Sequence, residues 1–448
     1  MYKRTISWFA CAVMVGLAAN QSGYAQEEIF SLGFQLGTGA RALAMGGAYT
    51  SLGGDYSASF WNPAALTDIK KIEVYGSLSH LMRENTTQFS IFGVENDASF
   101  TKLNDLGVAY PVPTARGSLV FSFGFTRIKT YDSNFAFDWF NETPDDEVNQ
   151  AWREFEDGGL NAWTLAGAVD VSPNASLGLG LNFWTGGSDF EATFREVDSE
   201  EIYTFDAFTV EDNLNTDITG FNVKGGALFK ISSIMRLGAT LATPIKFKVK
   251  EDFSTFEELL FDDGAFDDTL DSGVFDYRIR SPWTFTGGAS LHFLNFVLSG
   301  DIEYNDWSQV QYKSEPPIFG LTESEANRLI RDNYRPTTRY RFGTEFTLPL
   351  TGISLRAGYF LDPVILRNRP SRETALGDFF GIRLSPEDKQ FYSAGLGFLL
   401  DKQVKLDITY VHGFWKSFNS GLPQTDDIGD YVEDIKVNKV FVSMAFRF

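Results

Sequence analysis

The side chains of this chain that are best suited to acid–base chemistry are three histidines, His80, His292 and His412, and they are widely separated in sequence. A hydrolytic site would need one of them to act on an activated serine. No Gly-x-Ser-x-Gly turn, which presents such a nucleophile, lies beside any of the three. We therefore expect that the protein is not an enzyme.

Metal ligands are the second chemistry to consider, and they are equally sparse. The only cysteine, Cys11, lies in a segment that we expect to be removed from the mature chain, so no thiolate site is available. Asp262, Asp263, Asp267 and Asp268 are scattered and do not form a coordination loop. They are interpreted as solvated side chains, the alternative being divalent cations that bridge to lipopolysaccharide. We expect no cofactor and no resident metal.

The amino-terminus has the order of a secretory signal peptide. Lys3 and Arg4 precede an apolar run from Ile6 to Ala19, and the small residues around Gly23 and Ala25 suit a cleavage point. The run is short for a retained membrane helix. We expect residues 1–25 to be removed after Sec-dependent export.

Composition narrows the class of protein. The formal charge of −21 argues against nucleic acid as a partner. No run beyond the signal approaches the roughly 20 apolar residues that a membrane helix needs. Any membrane crossing must therefore be made by strands, and the absence of a linker-like segment favours one large domain.

Segment after segment alternates apolar and polar residues with the two-residue period of a strand. Leu177, Leu179 and Leu181 alternate with Gly178 and Gly180, and the last residues, 440–448, alternate up to the terminal Phe448. The chain contains 43 Phe, 17 Tyr and 9 Trp, more than a soluble core requires. This pattern predicts a transmembrane barrel whose apolar face meets lipid, with aromatic girdles. In such a barrel Phe448 would be the export signal read by the barrel-insertion machinery.

The second face of these strands is charged, and in a barrel it would line the lumen. The predicted luminal side chains are Asp301, Glu303, Arg341, Glu345, Arg356, Lys405 and Asp407. Fifteen candidate strands can be counted, whereas single-chain barrels close with an even number, so we expect about 14 strands. The surplus candidate is expected among the short early segments, which include 88–95 and 106–112.

The connections are predicted to alternate in length around an antiparallel barrel. Tight turns at 172–174, 232–233, 294–295, 351–352 and 401–403 belong on the periplasmic side, and the long loops outside. Helical signals are present in these loops. Val148, Trp152 and Phe155 have helical spacing within 141–155, and Thr322 with Glu325 forms a capping box. Residues 253–276 are read as a further long loop.

A glycine- and alanine-rich stretch, 33–66, precedes the first strand and carries the features of a known family. Gly33 to Leu36, then Arg41 and Gly46-Gly47-Ala48-Tyr49, then Asn62-Pro63-Ala64-Ala65-Leu66 resemble, in order and spacing, the amino-terminal hatch of the FadL family of outer-membrane transporters of hydrophobic compounds. Residues 303–309, 340–344, 356–360, 392–395 and 407–413 also look like later strands of that family.

This resemblance implies an all-β protein of the Gram-negative outer membrane. A hatch, 26–70, would plug a 14-stranded barrel, 71–448, and long-chain fatty acids or similar molecules would diffuse inward and leave through a lateral opening in the wall. Some members take aromatic hydrocarbons instead. Lys313 matches a family lysine that could meet a ligand carboxylate. Where the fatty-acid transporters have basic residues, this chain has Gly186, Gly187, Ser188, Asp189 and Glu191, which leaves the carboxylate preference open.

Two ligand sites follow as a hypothesis, because a single deep site would hold a greasy molecule too tightly for release. The weak outer site is assigned to loop residues Trp152, Phe155, Leu259 and Phe261. The inner site is assigned to Phe34 and Leu36 of the hatch together with Lys313, and Gly46, Gly47, Asn62, Pro63 and Ala64 are assigned to the hatch turns. We expect a monomer in contact with outer-membrane lipid and lipopolysaccharide. An open porin and a component of a protein secretion system remain the alternatives.

Overall fold

The computed structural model describes residues 36–89, 93–143, 146–317, 321–367, 387–401, 403–419 and 431–448. The predicted signal peptide and Phe34 lie outside these ranges. Most of the described chain beyond residue 72 is strand. The strands are β1 Glu73–Gln88, β2 Gly93–Val112, β3 Leu119–Thr130, β4 Ser133–Thr143, β5 Asp146–Ser172, β6 Ala175–Val197, β7 Phe205–Lys230, β8 Met235–Ala242, β9 Lys246–Phe261, β10 Phe266–Arg280, β11 Thr284–Phe293, β12 Phe296–Asp306, β13 Gln311–Tyr312, β14 Pro336–Thr347, β15 Ile353–Asp362, β16 Lys389–Leu400, β17 Val404–Asn419 and β18 Tyr431–Arg447.

These 18 segments form one closed antiparallel sheet, in which β1 pairs with both β2 and β18. Four barrel strands consist of two consecutive segments each. The segments β3 and β4 both pair with β5, and the segments β8 and β9 both pair with β7. In the same way, β10 and β11 together form one strand, and β12 and β13 together form the next. The barrel therefore has 14 strands, as predicted.

The surplus strand candidate is among the early segments, as expected. The candidate 88–95 spans the connection between β1 and β2, and the candidate 106–112 is the end of β2. The mostly polar residues 95–105 hid the continuity of β2, because neither face of this part of the strand is continuously apolar.

The two faces of the wall have the predicted chemistry. Apolar side chains such as Leu78, Phe123, Phe183 and Phe342 are exposed on the outside. The predicted charged residues Asp301, Arg341, Glu345, Arg356 and Asp407 are buried on the inside. Because one face of the wall meets lipid and the other meets a polar interior, each strand position requires either an apolar or a polar residue.

Three α-helices occur in the described chain: α1 Ala40–Ala44, α2 Ala58–Trp61 and α3 Glu323–Asn333. The capping box at Thr322 opens α3, since the Thr322 and Glu325 side chains each accept from the other residue's backbone N–H. None of the helices in these ranges has the length and hydropathy that a membrane crossing requires.

The helical prediction for 141–155 is wrong. Residues 141–143 end β4 and residues 146–155 begin β5, and these two strands pair with each other. Val148, Gln150, Trp152 and Glu154 are buried in alternation. The polar Gln150 and Glu154 masked the two-residue period, because an inward face accepts polar side chains.

The expected loop at 253–276 is also wrong, because β9 and β10 continue through it as a paired hairpin. Its acidic side chains at the tip, including Asp262, Asp263, Asp267 and Asp268, are exposed. Several barrel strands thus extend well beyond the lipid-facing band on the side opposite the tight turns, which we call the outer end.

Residues 36–69 fold inside the barrel, and we call them the luminal segment. It contains α1, α2 and a 3-10 helix, Pro63–Asp68, and most of its side chains are fully buried. α1 packs on β15 to β18, whereas the 3-10 helix packs on β5, β6 and β7 across the lumen.

Candidate functional site

A chain of ion pairs attaches the luminal segment to one side of the barrel. Arg41 forms two hydrogen bonds with Glu345, both 2.9 Å long. Glu345 also accepts from Arg356 Nε at 2.5 Å, and Arg356 Nη1 donates to Asp407 at 2.7 Å. Such paired charges are tolerated in a buried lumen because each carboxylate has more than one donor.

The same chain returns to the luminal segment through Lys405. Its Nζ lies 3.4 Å from Asp407 and 3.0 Å from Asp55, a residue of the luminal segment. Asp55 also accepts from the Tyr49 hydroxyl at 3.0 Å. The network therefore begins and ends on the luminal segment and passes through three barrel strands.

A second attachment comes from β12, where Asp301 Oδ2 accepts from the backbone N–H groups of Tyr49 and Thr50, both at 2.8 Å. Neighbouring Glu303 is held by Arg339 at 2.6 Å and Arg341 at 2.9 Å. Asp301 therefore holds the backbone of the luminal segment at Tyr49 and Thr50, and the Glu303 pairs join β12 to β14 beside it.

On the opposite side, Asn62 connects the segment to β7. Its Oδ1 accepts from Ala64 N at 3.0 Å, which starts the 3-10 helix at Pro63. Its Nδ2 donates to Thr50 O at 2.7 Å and to Ala227 O at 3.0 Å. One side chain thereby caps a helix, bridges two parts of the segment and binds the wall.

Close backbone contact explains the glycines of this region. Gly46 has φ 62°, and a Cβ there would lie 2.5 Å from Phe342 O and 2.6 Å from Tyr359 N. On the wall, a Cβ on Gly343 or Gly358 would meet the backbone of Met45 or Gly46. The luminal segment therefore touches the sheet backbone directly.

Above the luminal segment lies a middle cluster of buried apolar side chains, built around Tyr131, Trp184, Phe247, Tyr277, Trp307 and Tyr312. Helix α3 contributes Ala326 and Ile330 from the outer end, and Phe60 of the luminal segment packs against it from below. The middle cluster is therefore in contact with the luminal segment.

Nearer the outer end is an outer cluster built around Phe89, Phe137, Trp152, Phe190, Phe194 and Tyr431. Between the two clusters β6, β7 and β9 place Ser188, Thr216 and Glu251 side by side, facing inward. Along the barrel axis, the lumen therefore has two apolar regions separated by a polar layer.

Glu251 lies outside the membrane-spanning part of β9, because Lys246, Lys248 and Lys250 are exposed on the outward face beside it. Burial raises the pKa of Glu251 to about 7, against the opposing effect of the hydrogen bond from the Tyr277 hydroxyl at 2.5 Å. A buried carboxyl without a cationic partner prefers its neutral form.

The barrel wall is interrupted between β2 and β3, and we call this interruption the seam. The backbone ladder joins Val112 to Leu119 and ends at Asp105 and Thr126. β4 then pairs with β5, and β2 reaches it through a side-chain bond from Ala136 N to Asn96 Oδ1 at 2.9 Å.

One lysine crosses the seam. Lys102 Nζ on β2 lies 3.0 Å from Asp132, in the break between β3 and β4, and 2.8 Å from Asp157 on β5. The Asp132 side chain is fully buried, whereas Asp157 is exposed. Lys102 is thus the ionic link between the two edges of the seam.

The sequence-predicted ligand residues are only partly brought together. Trp152 is in the outer cluster, and Leu259 and Phe261 are half-buried at the end of β9. Phe155 points outward and is 44% exposed. Leu36 packs near Trp61 and Phe391 in the core around the luminal segment.

Lys313 is exposed just beyond β13, its backbone N–H bonded to Arg278 O at 2.8 Å, so the structure does not bring it to Leu36. Phe448 is exposed, and its N–H donates to Ile72 O at 3.0 Å. Sequence reasoning missed Lys102, Glu251 and Lys439. Their signal is a charged residue at an inward position of a strand.

The histidines lie apart on β1, β11 and β17, each near a polar neighbour: Thr101, Ser290 and Asn438. Among the residues that the structure describes, no group of His, Cys, Asp and Glu side chains could hold a metal ion.

Comparison with known proteins gives a consistent result. The family model described as "Outer membrane protein transport protein (OMPP1/FadL/TodX)" matches residues 19–448. The toluene transporter TodX of Pseudomonas putida superposes with a TM-score of 0.61 at 14% identity, covering 93% of this chain and 99% of that one.

A Pseudomonas aeruginosa FadL homologue gives a TM-score of 0.61 at 15% identity, covering 93% of this chain and 100% of that one. The monoaromatic hydrocarbon channel CymD gives 0.54 at 14% identity, covering 92% and 98%. At such identities these structures share the fold. No curated protein matches the chain by sequence.

Proposed function

The chain belongs to the outer membrane protein transport family that includes FadL and TodX and is an outer-membrane transporter of hydrophobic compounds, and on this premise we propose how it works. It is a passive channel in which the luminal segment, as part of a hatch at residues 26–70, gates an inner ligand site. Long-chain fatty acids or similar molecules are its substrates, and they leave sideways into the membrane.

The observation that carries this proposal is the double attachment of the luminal segment. It is bound to β14 and β17 through the ion pairs of Arg41 and Asp55, and to β7 through Asn62. A ligand that reaches the middle cluster meets Phe60, the part of the segment that packs there. Movement of this segment therefore changes the inner site and the passage together.

The presence of two apolar clusters bears on how fast a bound hydrophobic molecule is released. Burying about 16 methylenes at ~0.8 kcal/mol each in one site would give a gross ~13 kcal/mol, which would make dissociation too slow for transport. Successive sites divide this free energy. The outer cluster, which contains Trp152 and has Leu259 and Phe261 near it, takes the ligand first, and the middle cluster takes it next.

The seam is the proposed exit. It lies beside Ile128 and Tyr131 of the middle cluster, so an apolar chain can pass from the cluster into lipid without entering water. Lateral exit keeps the tail desolvated throughout, which removes the largest barrier for a hydrophobic substrate.

The first test is to purify the protein from outer membranes in mild detergent and identify the bound molecule by native mass spectrometry with lipid extraction. A fatty acid or hydrocarbon at near-stoichiometric occupancy supports the proposal and names the substrate class. An empty barrel that co-purifies with secretion subunits would favour a secretion role instead.

The second test addresses the hatch. Deleting residues 27–36 should slow uptake while the barrel still inserts, because the described luminal segment loses its amino-terminal continuation. Unchanged uptake, with insertion confirmed by the heat-dependent shift of the barrel on a gel, would refute the gating role.

A further inference from the structure

A group of cations lies on the outward face of three neighbouring strand segments. Lysine and arginine occupy successive outward positions of β9 and β10, and one more lysine follows β13, its backbone N–H donating to Arg278 O at 2.8 Å. Buried, inward-facing residues alternate with these cations. We call the group the basic belt, and its members are Lys246, Lys248, Lys250, Arg278, Arg280 and Lys313. In a chain with a formal charge of −21, so much positive charge in one place requires a reason.

Two pairs of like charges stand directly opposite each other within the basic belt. Lys246 is the ladder partner of Arg280, and Lys248 is the ladder partner of Arg278. Like charges that face each other across a pair of strands destabilise the sheet. Because this arrangement costs stability, an anion from outside the chain is the expected compensation.

The acids of the chain compensate for only part of the belt. Asp276 lies 3.5 Å from Lys248, and Asp252 lies 2.7 Å from Lys250. Asp217 on β7 is the ladder partner of Lys250. Among the described residues, no ion pair includes the other four members, which are Lys246, Arg278, Arg280 and Lys313. The compensated cations are thus on the outer side of the belt, and the row nearest the lipid-facing band is uncompensated.

The basic belt begins at the height where the lipid-facing band ends. Phe221 on β7 is the ladder partner of Lys246 and is exposed, and just below it Phe285 and Tyr304 are exposed on β11 and β12. Phe221 lies nine residues along β7 from Lys230, beside the tight turn. In a tilted strand this distance is about 23 Å along the barrel axis, close to the ~25 Å height of an apolar band. The belt therefore lies at the membrane surface, level with the lipid head groups of the outer leaflet.

We propose that the basic belt binds the phosphate groups of lipopolysaccharide, the anionic lipid of the outer leaflet. Its cations stand on strands about 4.8 Å apart and in rows about 7 Å apart, so they cover an area large enough for two phosphates. Arginine and lysine are the side chains that bind phosphate best. The position of the belt directly above lipid-facing aromatics favours a lipid phosphate over a free anion, because the acyl chains then lie along the wall below it. This site is separate from the lumen and does not depend on the transported molecule.

The test measures the binding of two lipids to the purified full-length protein in detergent by native mass spectrometry. The lipids are lipid A with two phosphates and monophosphoryl lipid A with the same acyl chains, and EDTA is present throughout to remove divalent cations. The double variant Arg278→Gln/Arg280→Gln should bind lipid A about tenfold or more weakly, because each basic residue near an anionic lipid surface contributes about fivefold. It should also lose the preference of the wild type for two phosphates over one.

Folding of the double variant is checked without added lipid. Its unfolding temperature should equal or exceed that of the wild type, because the substitutions remove two like-charge contacts. Lys416→Gln is the matched control: Lys416 is an outward cation on β17 that already has Asp434 at 3.5 Å, so its loss should leave lipid A binding unchanged.

Three results would overturn the site. The first is a double variant that binds lipid A as tightly as the wild type. The second is wild-type protein that binds lipid A only when EDTA is left out, since the lipid would then be held through divalent cations on acidic side chains. The third is complete displacement of lipid A by millimolar inorganic phosphate, which would show a site for free anions.

Discussion

Arg41 of the luminal segment and Glu345 of β14 form a bidentate ion pair, and this pair joins the luminal segment to the wall of the barrel. Glu345 is shared with Arg356, so neutralising it would leave two guanidinium groups facing one amide. Breaking a buried pair in this way costs about 3–5 kcal/mol. Glu345 is therefore a contact of the luminal segment whose loss is expected to be costly.

Glu345→Gln should therefore loosen the luminal segment without unfolding the barrel. We expect higher single-channel conductance in planar bilayers and faster protease cleavage within residues 36–69. Asp276→Asn is the control, because its pair with Lys248, 3.5 Å apart, is exposed on both sides and contributes little. Wild-type conductance in Glu345→Gln would show that the other attachments hold the luminal segment in place without this ion pair.

Lys102→Met should weaken the seam, because it removes the ionic link between β2 and the Asp132–Asp157 side. We expect faster release of a fluorescent hydrophobe from proteoliposomes into the surrounding lipid. Asp157→Asn should have a smaller effect than Asp132→Asn, since Asp157 is exposed and Asp132 is buried. Equal rates in all three variants and the wild type would argue against exit at the seam.

Gly46→Ala should destabilise the folded protein strongly. A left-handed residue other than glycine costs about 1–2 kcal/mol, and here the added methyl also meets the wall backbone. Gly264 supplies the control: it has φ 77°, yet a Cβ there meets nothing within 4 Å. The temperature at which heating shifts the band on a gel should fall much further for Gly46→Ala than for Gly264→Ala. Equal falls would mean that the cost comes from the left-handed backbone conformation alone and not from contact with the wall.

Asn62→Ala should remove the helix cap and leave the carbonyls of Thr50 and Ala227 without their donor. The loss of the cap alone is worth about 0.5–2 kcal/mol. Asn62→Asp keeps the acceptor for Ala64 N but brings a negative charge against two carbonyl oxygens, so we expect it to unfold at a lower temperature than Asn62→Ala. If Asn62→Ala unfolds at the lower temperature instead, the helix cap contributes more to stability than the hydrogen bonds to Thr50 and Ala227.

Glu251 should make stability depend on pH. Burial raises its pKa to about 7 in the folded protein, so the folded state keeps a proton that the unfolded chain loses near its ordinary value of 4.5. Stability from this group falls as pH rises from about 4.5 to about 7, because the unfolded state releases its proton first.

Glu251→Gln should flatten this part of the unfolding profile and stabilise the protein at pH 8. Glu251 contacts the Tyr277 hydroxyl, and further along β9 burial together with Asp212 raises the pKa of Glu257 as well. Glu257→Gln is therefore measured in parallel. A profile that flattens only in Glu257→Gln would assign the pH dependence to that residue.

The sequence by itself determined the closed barrel, because a two-residue period with unlike faces is a local property of each strand. It also determined the composition of the lumen, since Asp301, Arg341 and Glu345 occupy the positions that alternate with lipid-facing aromatics. The number of strands followed from the requirement that the sheet close on itself.

Which residues come together at the site was decided only by the tertiary structure. Val148, Trp152 and Phe155 have helical spacing, but pairing with β4 and β6 made them a strand and turned Phe155 outward. Lys313 alternated to the exposed face, while Arg41 and Glu345, more than half the chain apart, came together as an ion pair inside the barrel. Which inward residues meet across a barrel depends on register and closure, and these are set by contacts between distant strands that no local pattern encodes.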